Sequence, residues 1–363
     1  MQKYKKIILL NRWTHLIHGH GQDEVVRVKK FLSEEFGLQG EIFCISKEFG
    51  DIHKTPPINI LNLIPNWLRR GWIFRVSLNR VRIGIYKAWE TQLLDYIDSD
   101  LIVVLTSGDF RDVYELISMS NGKFKIYARV THYNPEVLTS KEIKQLCRTS
   151  KSGLLRLGIE TQSARGDFKR LKIDLESYWV PPAQGMHDFS LSYEDEHLKI
   201  GLIYALTHKP RIESVQNLLE RLSTYNLIVR LPNDKSFNFL KDLFPKVKFM
   251  ENGLTLEEFE KNLSKVNFAI LPHQGYNLKG SGLVYYFLAK GVPTLIGNQN
   301  SFFDEICQSH LVIPWKDSPT LTDSSLKDIL AKRFPVSSSE ESLRIRSRVK
   351  QQWKIFLQGI NSI

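Results

Sequence analysis

Residues 267–298 constrain the fold of this chain more than any other stretch. An apolar run, Phe268–Leu271, stops at a proline, a polar loop follows, and Ser281 begins a compact apolar segment that ends at Gly291. This order predicts a strand, a loop, a helix and a second strand. Because a helix N-terminus presents unpaired N–H groups and a partial positive charge, the Gly-Ser-Gly sequence at 280–282 would let a phosphate group approach the backbone closely. The alternative is an ordinary βαβ connection in which Ser281 caps the helix and no ligand binds.

The size and composition predict a soluble protein of two domains. With 363 residues, the chain exceeds the length of a comfortable single core. Its 42% hydrophobic and 25% charged residues are typical of soluble globular proteins. The three cysteines are far apart and form no CxxC pair, which argues against a zinc site or a disulfide framework and favours a reducing cytosol.

The hydrophobic runs are too short for a signal peptide or a transmembrane helix. Behind the basic N-terminal residues the apolar run covers only Ile7–Leu10, and no run approaches the roughly 18 apolar residues of a spanning helix. Any membrane contact is therefore expected to be peripheral. The net charge of +11 favours anionic partners such as phosphates, anionic lipid or nucleic acid, and charge alone does not choose among them.

Strand and helix patterns alternate from the first residues. Residues 4–10 read as a buried strand, residues 23–36 carry apolar side chains at helical spacing, and residues 41–46 read as the next strand. This alternation predicts an α/β protein with a parallel, doubly wound sheet. Ligands of such sheets bind beyond the carboxyl ends of the strands, which places the loop 11–22 at the expected cleft. The loop contains Gly19, Gly21 and the histidines His15, His18 and His20, whose spacing fits no usual metal site.

Residues 58–89 interleave aromatic and aliphatic side chains with six basic ones, and no acidic residue occurs before Glu90. This mixture is typical of an interfacial segment, in which rings lie at the headgroup level and cations meet anionic lipid. The same mixture is able to stack on bases and pair with phosphates in a nucleic-acid groove. A third interpretation is a pair of core-facing helices with arginines on the solvated side.

Two polar residues follow predicted strands at the expected cleft. Asp109 comes after the apolar strand 101–105 and is placed either to act as a general base or to cap the next helix. His132 comes after the strand 125–130. The Asp98-Ser-Asp100 sequence resembles a metal-binding DxD motif, but it lies at the amino end of its strand and therefore away from the cleft.

The pattern of strands and helices is interrupted once and then restarts. Residues 183–197, after the Pro181-Pro182 turn, lose apolar periodicity, and the pattern resumes at Leu198. Further strands are predicted at 154–160, 178–180, 199–206, 227–231 and 247–250, and further helices at 212–222 and 256–263. We expect three parts: an N-terminal domain of residues 1–185, a C-terminal domain of residues 198–338, and a C-terminal helix in residues 339–363 that packs back on the N-terminal domain.

Four pieces of the second half occur in an order that a known family shares. They are GLIYALTHKPRIESVQNLLERL, YNLIVRLPND, PKVKFMENGLTLEEFEKNLSKVNFAILP and SGLVYYFLAKGVPTLIGN, with Ala289-Lys-Gly291-Val-Pro293 as the closest match to the A.G.P motif of that family. This order resembles the GT-B glycosyltransferases, in particular the bacterial enzymes that build surface polysaccharides from nucleotide sugars. The likeness is looser in the first half, where it covers Gly19 and Gly21, residues 131–133 and the WVPPAQG turn at 179–185. The resemblance implies two Rossmann-like domains that face each other across a cleft.

The resemblance also implies a donor site. By position, Lys209 and Arg211 match the basic pair that grips the donor diphosphate, and Ser281 with Gly282 match the helix N-terminus beneath it. In such a site cations and the helix dipole stabilise the departing diphosphate, so no metal is expected. The expected donor-side residues are Lys209, Arg211, Ser281, Gly282, Tyr286 and Arg230. The expected acceptor-side residues are Gly19 and Gly21. The catalytic candidates are His132, Asp109 and His20.

The chain departs from the family at two positions where glutamates are common. The first of these positions, in the helix, holds Tyr286, and the second, in the preceding loop, holds Asn277 or Leu278. Tyr286 either contacts the donor or packs in the core. His132 corresponds to a position near the donor sugar and is either a ligand or a capping or buried histidine. Neither the nucleotide base nor the stereochemical outcome is therefore predicted.

The leading hypothesis is transfer of a sugar from a UDP- or GDP-type donor to a glycan or lipid-linked acceptor in cell-surface polysaccharide synthesis. The donor is a substrate, and no further cofactor is expected. The enzyme would lie in the cytoplasm against the anionic inner face of the membrane, through residues 58–89. The alternatives are an epimerase-like enzyme on the same fold, a basic nucleic-acid-binding protein, for which no helix-turn-helix, RNP or zinc pattern is present, and a catalytically inactive scaffold.

Overall fold

The structure is a computed structural model. It describes residues 6–12, 22–38, 40–42, 86–87, 89–91, 93, 101–171, 173–186, 198–204, 210–232, 234–251, 254, 256–272, 282–297, 309–315 and 337–360. These residues form two six-stranded sheets with helices between the strands.

The first sheet is built from the N-terminal half of the chain. Its strands are β1 (Ile7–Asn11), β2 (Gly40–Ile42), β3 (Ile102–Asp109), β4 (Lys125–His132), β5 (Leu155–Ile159) and β6 (Ser177–Trp179), in the spatial order β2-β1-β3-β4-β5-β6. The pairs from β2 through β5 are parallel. The helices of this half are α1 (Gln22–Phe36), α2 (Phe110–Ser120), α3 (Ser140–Lys151) and α4 (Gln162–Arg170). Every residue of β1 and β3 is buried, as expected for parallel strands covered on both faces.

Strand β3 continues beyond the apolar run that predicted it. The prediction ended at Leu105, whereas the strand extends to Asp109. Thr106 and Ser107 are buried there because both hydroxyls are paired: the Asn11 side-chain amide donates to Thr106 Oγ1 at 2.8 Å, and Ser107 Oγ lies 2.8 Å from Thr131 Oγ1. Buried polar groups with hydrogen-bond partners do not destabilise a strand. The extension brings Asp109 to the carboxyl end of the sheet, beside His132.

The second sheet is built from the C-terminal half. Its strands are β7 (Lys199–Ile203), β8 (Asn226–Arg230), β9 (Lys248–Phe249), β10 (Phe268–Leu271), β11 (Thr294–Gly297) and β12 (Val312–Trp315), in the order β12-β11-β10-β7-β8-β9. All five pairings are parallel. The helices of this half are α5 (Ile212–Leu222), α6 (Phe239–Leu243), α7 (Leu256–Leu263), α8 (Gly282–Ala289) and α9 (Ser337–Leu357). The predicted α/β class with parallel sheets is confirmed.

The chain divides into two compact units whose limits differ from the predicted boundaries. Among the described residues, the first unit holds those up to Ile159, Phe168–Tyr178 and 355–360, and the second holds Glu160–Asp167 and those from Trp179 to Lys354. The prediction assigned residues up to 185 to the N-terminal domain.

Residues 179–186 lie in the second unit because their backbone packs closely on α9. The Trp353 indole donates to the Pro181 carbonyl at 3.0 Å. A Cβ at Gly185 would lie 2.9 Å from Val349 Cγ2, so only a glycine permits this approach. The end of the same helix belongs to the first unit, where Phe356 contacts the ring of Tyr127 at a centroid distance of 5.9 Å.

Replacing Gly201 with alanine should destabilise the second sheet. Gly201 lies in β7, and a Cβ there would be 2.8 Å from both methyl carbons of Val266. Overpacking of this kind costs about 1–3 kcal/mol, which should lower the melting temperature measured by calorimetry. Gly166→Ala is the matched control, because a Cβ at that helical position meets nothing within 4 Å. An equal response of the two variants would contradict the packing argument.

Candidate functional site

The carboxyl edge of the first sheet brings together polar residues from three strands. Strand β1 ends at Asn11, β3 at Asp109 and β4 at His132, and Asp109 and His132 are paired in register. Arg12 follows β1, and its backbone N–H donates to the Ser107 carbonyl at 3.2 Å. Because ligands of parallel sheets bind at this edge, it is the candidate site of the first unit.

Arg12 binds two aspartates at this edge. Its guanidinium Nη1 lies 2.5 Å from Asp109 Oδ2 and 3.1 Å from Asp112 Oδ2. The Tyr86 hydroxyl donates to Asp112 Oδ1 at 2.8 Å. Arg12, Asp109 and Asp112 are all buried, so the charges of this cluster compensate one another away from water.

Asp109 caps helix α2. Its Oδ1 accepts from the backbone N–H groups of Arg111 and Asp112 at 2.9 and 3.1 Å, and Asp112 Oδ2 accepts from the Asp109 N–H at 2.7 Å. This reciprocal capping box, together with the ion pair to Arg12, engages both carboxylate oxygens. Of the two roles that the sequence left open for Asp109, the capping role is the one in the structure. Its role as a general base stays a prediction.

The electrostatics of the cluster centre on Asp112. Burial, together with the neighbouring charge of Asp109, raises the pKa of Asp112 to about 6, although Arg12 acts in the opposite direction. Burial acts to lower the pKa of Arg12, but the charges of Asp112 and Asp109 outweigh it, and the pKa is raised. Burial and then the charge of Asp112 raise the pKa of Tyr86, so its hydroxyl keeps its proton and acts as a donor.

A second buried ion pair connects helix α1 to the sheet. Arg129 Nη1 lies 2.6 Å from Glu24 Oε1, and both side chains are fully buried. The same nitrogen donates to the Thr106 carbonyl at 3.2 Å. Neither this pair nor the Arg12 cluster was predicted from the sequence. Two features of the sequence could have indicated them. Arg129 is a charged residue inside the apolar strand 125–130 and therefore needs a buried partner, and Asp109 and Asp112 have the spacing of a capping box.

His132 is half-buried and adjoins a group of hydroxyls. Its Nδ1 lies 3.3 Å from Thr131 Oγ1, which also contacts the Ser107 hydroxyl and the Gly108 carbonyl. The next residue, Tyr133, packs against Phe110 and Phe168 at centroid distances of 5.6 and 5.7 Å. His132 and Asp109 are neighbours at this edge because β3 and β4 pair them in register, and their catalytic roles stay predictions.

The predicted donor-side arginines occupy different environments in the second unit. Arg211 is exposed at the N-cap position of α5, and its side chain makes no capping hydrogen bond. Arg230 ends β8, is largely buried and lies over the Phe259 ring at 4.6 Å. Burial lowers the pKa of Arg230 to about 10. Arg211 is thus accessible to an anion, whereas Arg230 is held against an aromatic ring.

The N-terminus of α8 is closely packed. A Cβ at Gly282 would lie 2.6 Å from Nε2 of Gln184, a buried residue of the same unit, so a larger residue at this position would displace the Gln184 amide. Tyr286 is 3% exposed, its hydroxyl lies 3.5 Å from the Glu260 carbonyl, and Lys290 lies over its ring. Tyr286 therefore packs in the core, and its role as a donor ligand stays a prediction.

Several predicted residues lie outside the described part of the chain. These are Lys209, Ser281, His20, Gly19, Gly21 and all of residues 58–85. Asp98 and Asp100, which were expected to lie away from the cleft, are also outside the described residues. From the predicted interfacial segment, Tyr86 binds Asp112 and Trp89 is fully buried, so these two residues face the core. No described helix is long and apolar enough to cross a membrane. Among the described residues no group of histidine, cysteine and acidic side chains is arranged to hold a metal ion, and metal independence stays a prediction.

Replacing Asp112 with asparagine should change how stability depends on pH. Between the ordinary pKa of 3.8 and the folded value of about 6, the folded protein binds a proton that the unfolded chain does not, so Asp112 favours folding more at pH 4 than at pH 7. The wild type should therefore gain stability relative to Asp112→Asn as the pH falls from 7 to 4, by on the order of 1–3 kcal/mol. Calorimetry of both proteins across this range measures the difference, and exposed Asp174→Asn is the control. A difference that does not vary with pH would disprove the assignment.

Solved structures share the fold of this chain. No protein-family model and no curated protein sequence matches it. The N-terminal domain of Candida albicans trehalose-6-phosphate phosphatase superposes with a TM-score of 0.60 at 11% identity, over 99% of this chain and 97% of that one. A trehalose-6-phosphate synthase matches with a TM-score of 0.58 at 11% identity over 99% of each chain. The UDP-GlcNAc 2-epimerase of Neisseria meningitidis bound to UDP-GlcNAc has a TM-score of 0.58 at 12% identity, over 98% of this chain and 99% of that one. The chain therefore has the GT-B fold, with two Rossmann-like domains.

Proposed function

We propose that the protein transfers a sugar from a nucleotide diphosphate sugar to a hydroxyl group of a glycan or lipid-linked acceptor in cell-surface polysaccharide synthesis. The observation that carries the proposal is the likeness of almost the whole chain to sugar-nucleotide enzymes, including a trehalose-6-phosphate synthase. The ordered motifs of the second half and the exposed Arg211 at the start of α5 support it.

The transfer forms a bond between the acceptor oxygen and the anomeric carbon and breaks the bond from that carbon to the donor diphosphate. The electron pair of the broken bond leaves on the diphosphate, and the proton of the acceptor hydroxyl passes to a base. Lys209, Arg211 and the N-terminus of α8, with Ser281 and Gly282, would stabilise the leaving charge without a metal. His132 is placed better than Asp109 to receive the proton, because both Asp109 oxygens already accept hydrogen bonds.

Arg211→Ala should weaken nucleotide binding without affecting the fold. In a thermal-shift screen with UDP, GDP and their sugars, binding to the native state raises the melting temperature. Loss of one charge-assisted contact to the diphosphate should raise Kd by about 10- to 100-fold. Arg221→Ala, an exposed arginine at the other end of α5, should bind as the wild type does. Equal Kd values for the wild type and Arg211→Ala would remove Arg211 from the donor site.

An epimerase is the second candidate, because a structural neighbour is a UDP-GlcNAc 2-epimerase bound to UDP-GlcNAc. Such an enzyme would convert the nucleotide sugar with no acceptor present. Product analysis after incubation with the donor alone separates the two: a new nucleotide sugar indicates epimerisation, whereas glycosyl transfer needs an acceptor.

The proposal includes a cytoplasmic protein bound peripherally to the inner face of the cell membrane through the basic residues of 58–89. Binding to anionic vesicles should therefore be strong at low salt, weaken as salt is added and be absent with neutral vesicles. Flotation of vesicles measures it. Arg69→Glu with Arg70→Glu should reduce binding, whereas the control pair Lys241→Glu with Lys246→Glu, exposed in the second unit, should not. Absence of flotation with anionic vesicles at low salt would disprove the membrane contact.

A further inference from the structure

Arg230 is a buried cation without an acidic partner among the described residues. It ends strand β8 and is 9% exposed, yet no described carboxylate forms an ion pair with it and no described acceptor atom takes a hydrogen bond from its guanidinium. Arg12 and Arg129, which are also buried, are both paired with carboxylates. Because an unpaired charge in a protein interior is destabilising, a residue such as Arg230 is expected where a ligand supplies its acceptor atoms.

The contact with Phe259 holds the guanidinium in place. Its central carbon lies 4.6 Å from the centroid of the Phe259 ring, which attracts the cation but supplies no acceptor atom. Burial lowers the pKa of Arg230 to about 10, so the guanidinium stays charged at neutral pH. A guanidinium group is a planar fork of five N–H donors without an acceptor. Arg230 is therefore suited to a ligand group that presents two neighbouring acceptor atoms.

The position of β8 in the second sheet indicates which part of a nucleotide Arg230 would meet. The chain passes from β7 through β8 to β9 on one side and continues with β10 on the other side of β7, so the topological switch point lies between β7 and β10. The predicted phosphate site, the N-terminus of α8, follows β10. Arg230 lies on the opposite side of β7, where the Tyr204 N–H donates to its carbonyl at 3.0 Å. In doubly wound sheets the residue at the end of the second strand lies beside the nucleoside rather than the diphosphate.

We propose that Arg230 binds the base of the donor nucleotide and selects guanine. Guanine presents two neighbouring acceptors, O6 and N7, which arginine binds through two parallel hydrogen bonds. Adenine has an amino donor beside its N7, and uracil has no second acceptor beside its O4, so neither base matches the fork. This inference rests on the proposed function, which leaves the choice between a UDP and a GDP donor open.

The affinities of the wild-type protein for nucleoside diphosphates test the choice of base. Titration calorimetry compares GDP, UDP and 7-deaza-GDP, a GDP analogue in which a C–H group replaces N7. GDP should bind about tenfold or more tightly than UDP, because one bidentate contact discriminates bases to about this extent. 7-deaza-GDP should lose most of the advantage over UDP. Equal or tighter binding of UDP, or equal binding of GDP and 7-deaza-GDP, would overturn the proposal.

A variant connects the preference to Arg230. Arg230→Met removes the N–H donors and keeps an unbranched side chain, so the Kd for GDP should rise about tenfold or more, while the Kd values for UDP and inorganic pyrophosphate stay unchanged. Arg221→Met, at an exposed arginine in the last turn of α5, is the control and should bind all three as the wild type does. An equal loss of affinity for GDP, UDP and pyrophosphate in Arg230→Met would show a contact with phosphate and overturn the proposal.

The stability of the same variant separates a ligand contact from a structural one. Without nucleotide, Arg230→Met should melt at the temperature of the wild type or above it, because the substitution removes an unpaired buried charge and keeps a side chain that packs well on Phe259. A lower melting temperature, or failure to fold, would show that Arg230 is held by a structural partner and would overturn the proposal.

The outcome for the proposed function is distinct. If the wild type binds neither the nucleotides nor their sugars, the proposed glycosyl transfer fails and the assignment of Arg230 fails with it. If the wild type binds UDP and transfers sugar from a UDP-sugar in preference to a GDP-sugar, glycosyl transfer stands and only the selection of guanine by Arg230 is wrong.

Discussion

The burial of charge in the first unit is the constraint on which much of this structure depends. An isolated charge in a protein interior is destabilising by several kcal/mol, so each buried ion requires a partner. Arg12 meets this requirement with Asp109 and Asp112, and Arg129 meets it with Glu24. These three ion pairs join segments that are about a hundred residues apart in the sequence, since they span 97, 100 and 105 positions. They connect the end of β1 to the start of α2 and helix α1 to strand β4.

The general fold could be predicted because it depends on local patterns. Runs of apolar residues indicated most strands, and Gly291 indicated where a helix ends. The extension of β3 could not be predicted from hydrophobicity, because Thr106 and Ser107 are buried through hydrogen bonds to Asn11 and Thr131, which are distant in the sequence. The ion pair of Arg129 with Glu24 has the same origin, since no local spacing identifies a partner 105 residues away.

The candidate site could be located from the sequence, but the roles of its residues could not. Asp109 after a strand has the same local pattern whether it is a base or a cap, and only its contacts with Arg12 and two backbone N–H groups distinguish the roles. Tyr286 likewise occurs in an apolar helix in either interpretation, and its burial against Glu260 and Lys290 favours packing. For Arg230, the position at the end of β8 was predictable, whereas the contact with Phe259 was not. Residue type and position in a strand determine where a side chain can lie, and the tertiary partners determine what it can do.

The second unit also shows that a compact unit of this protein is not a continuous half of its sequence. Trp353 donates to Pro181, Val349 packs on Gly185, and Trp179 donates to the carbonyl of Glu160, all within this unit. A recombinant fragment that starts at Leu198 would leave the indole of Trp353 without its acceptor and would expose the face of α9 that covers Gly185. A chimaera that exchanges this unit therefore has to include two short segments that precede Leu198, namely Glu160–Asp167 and the residues from Trp179 onward. A single crossover point in the gene would not transfer the unit intact.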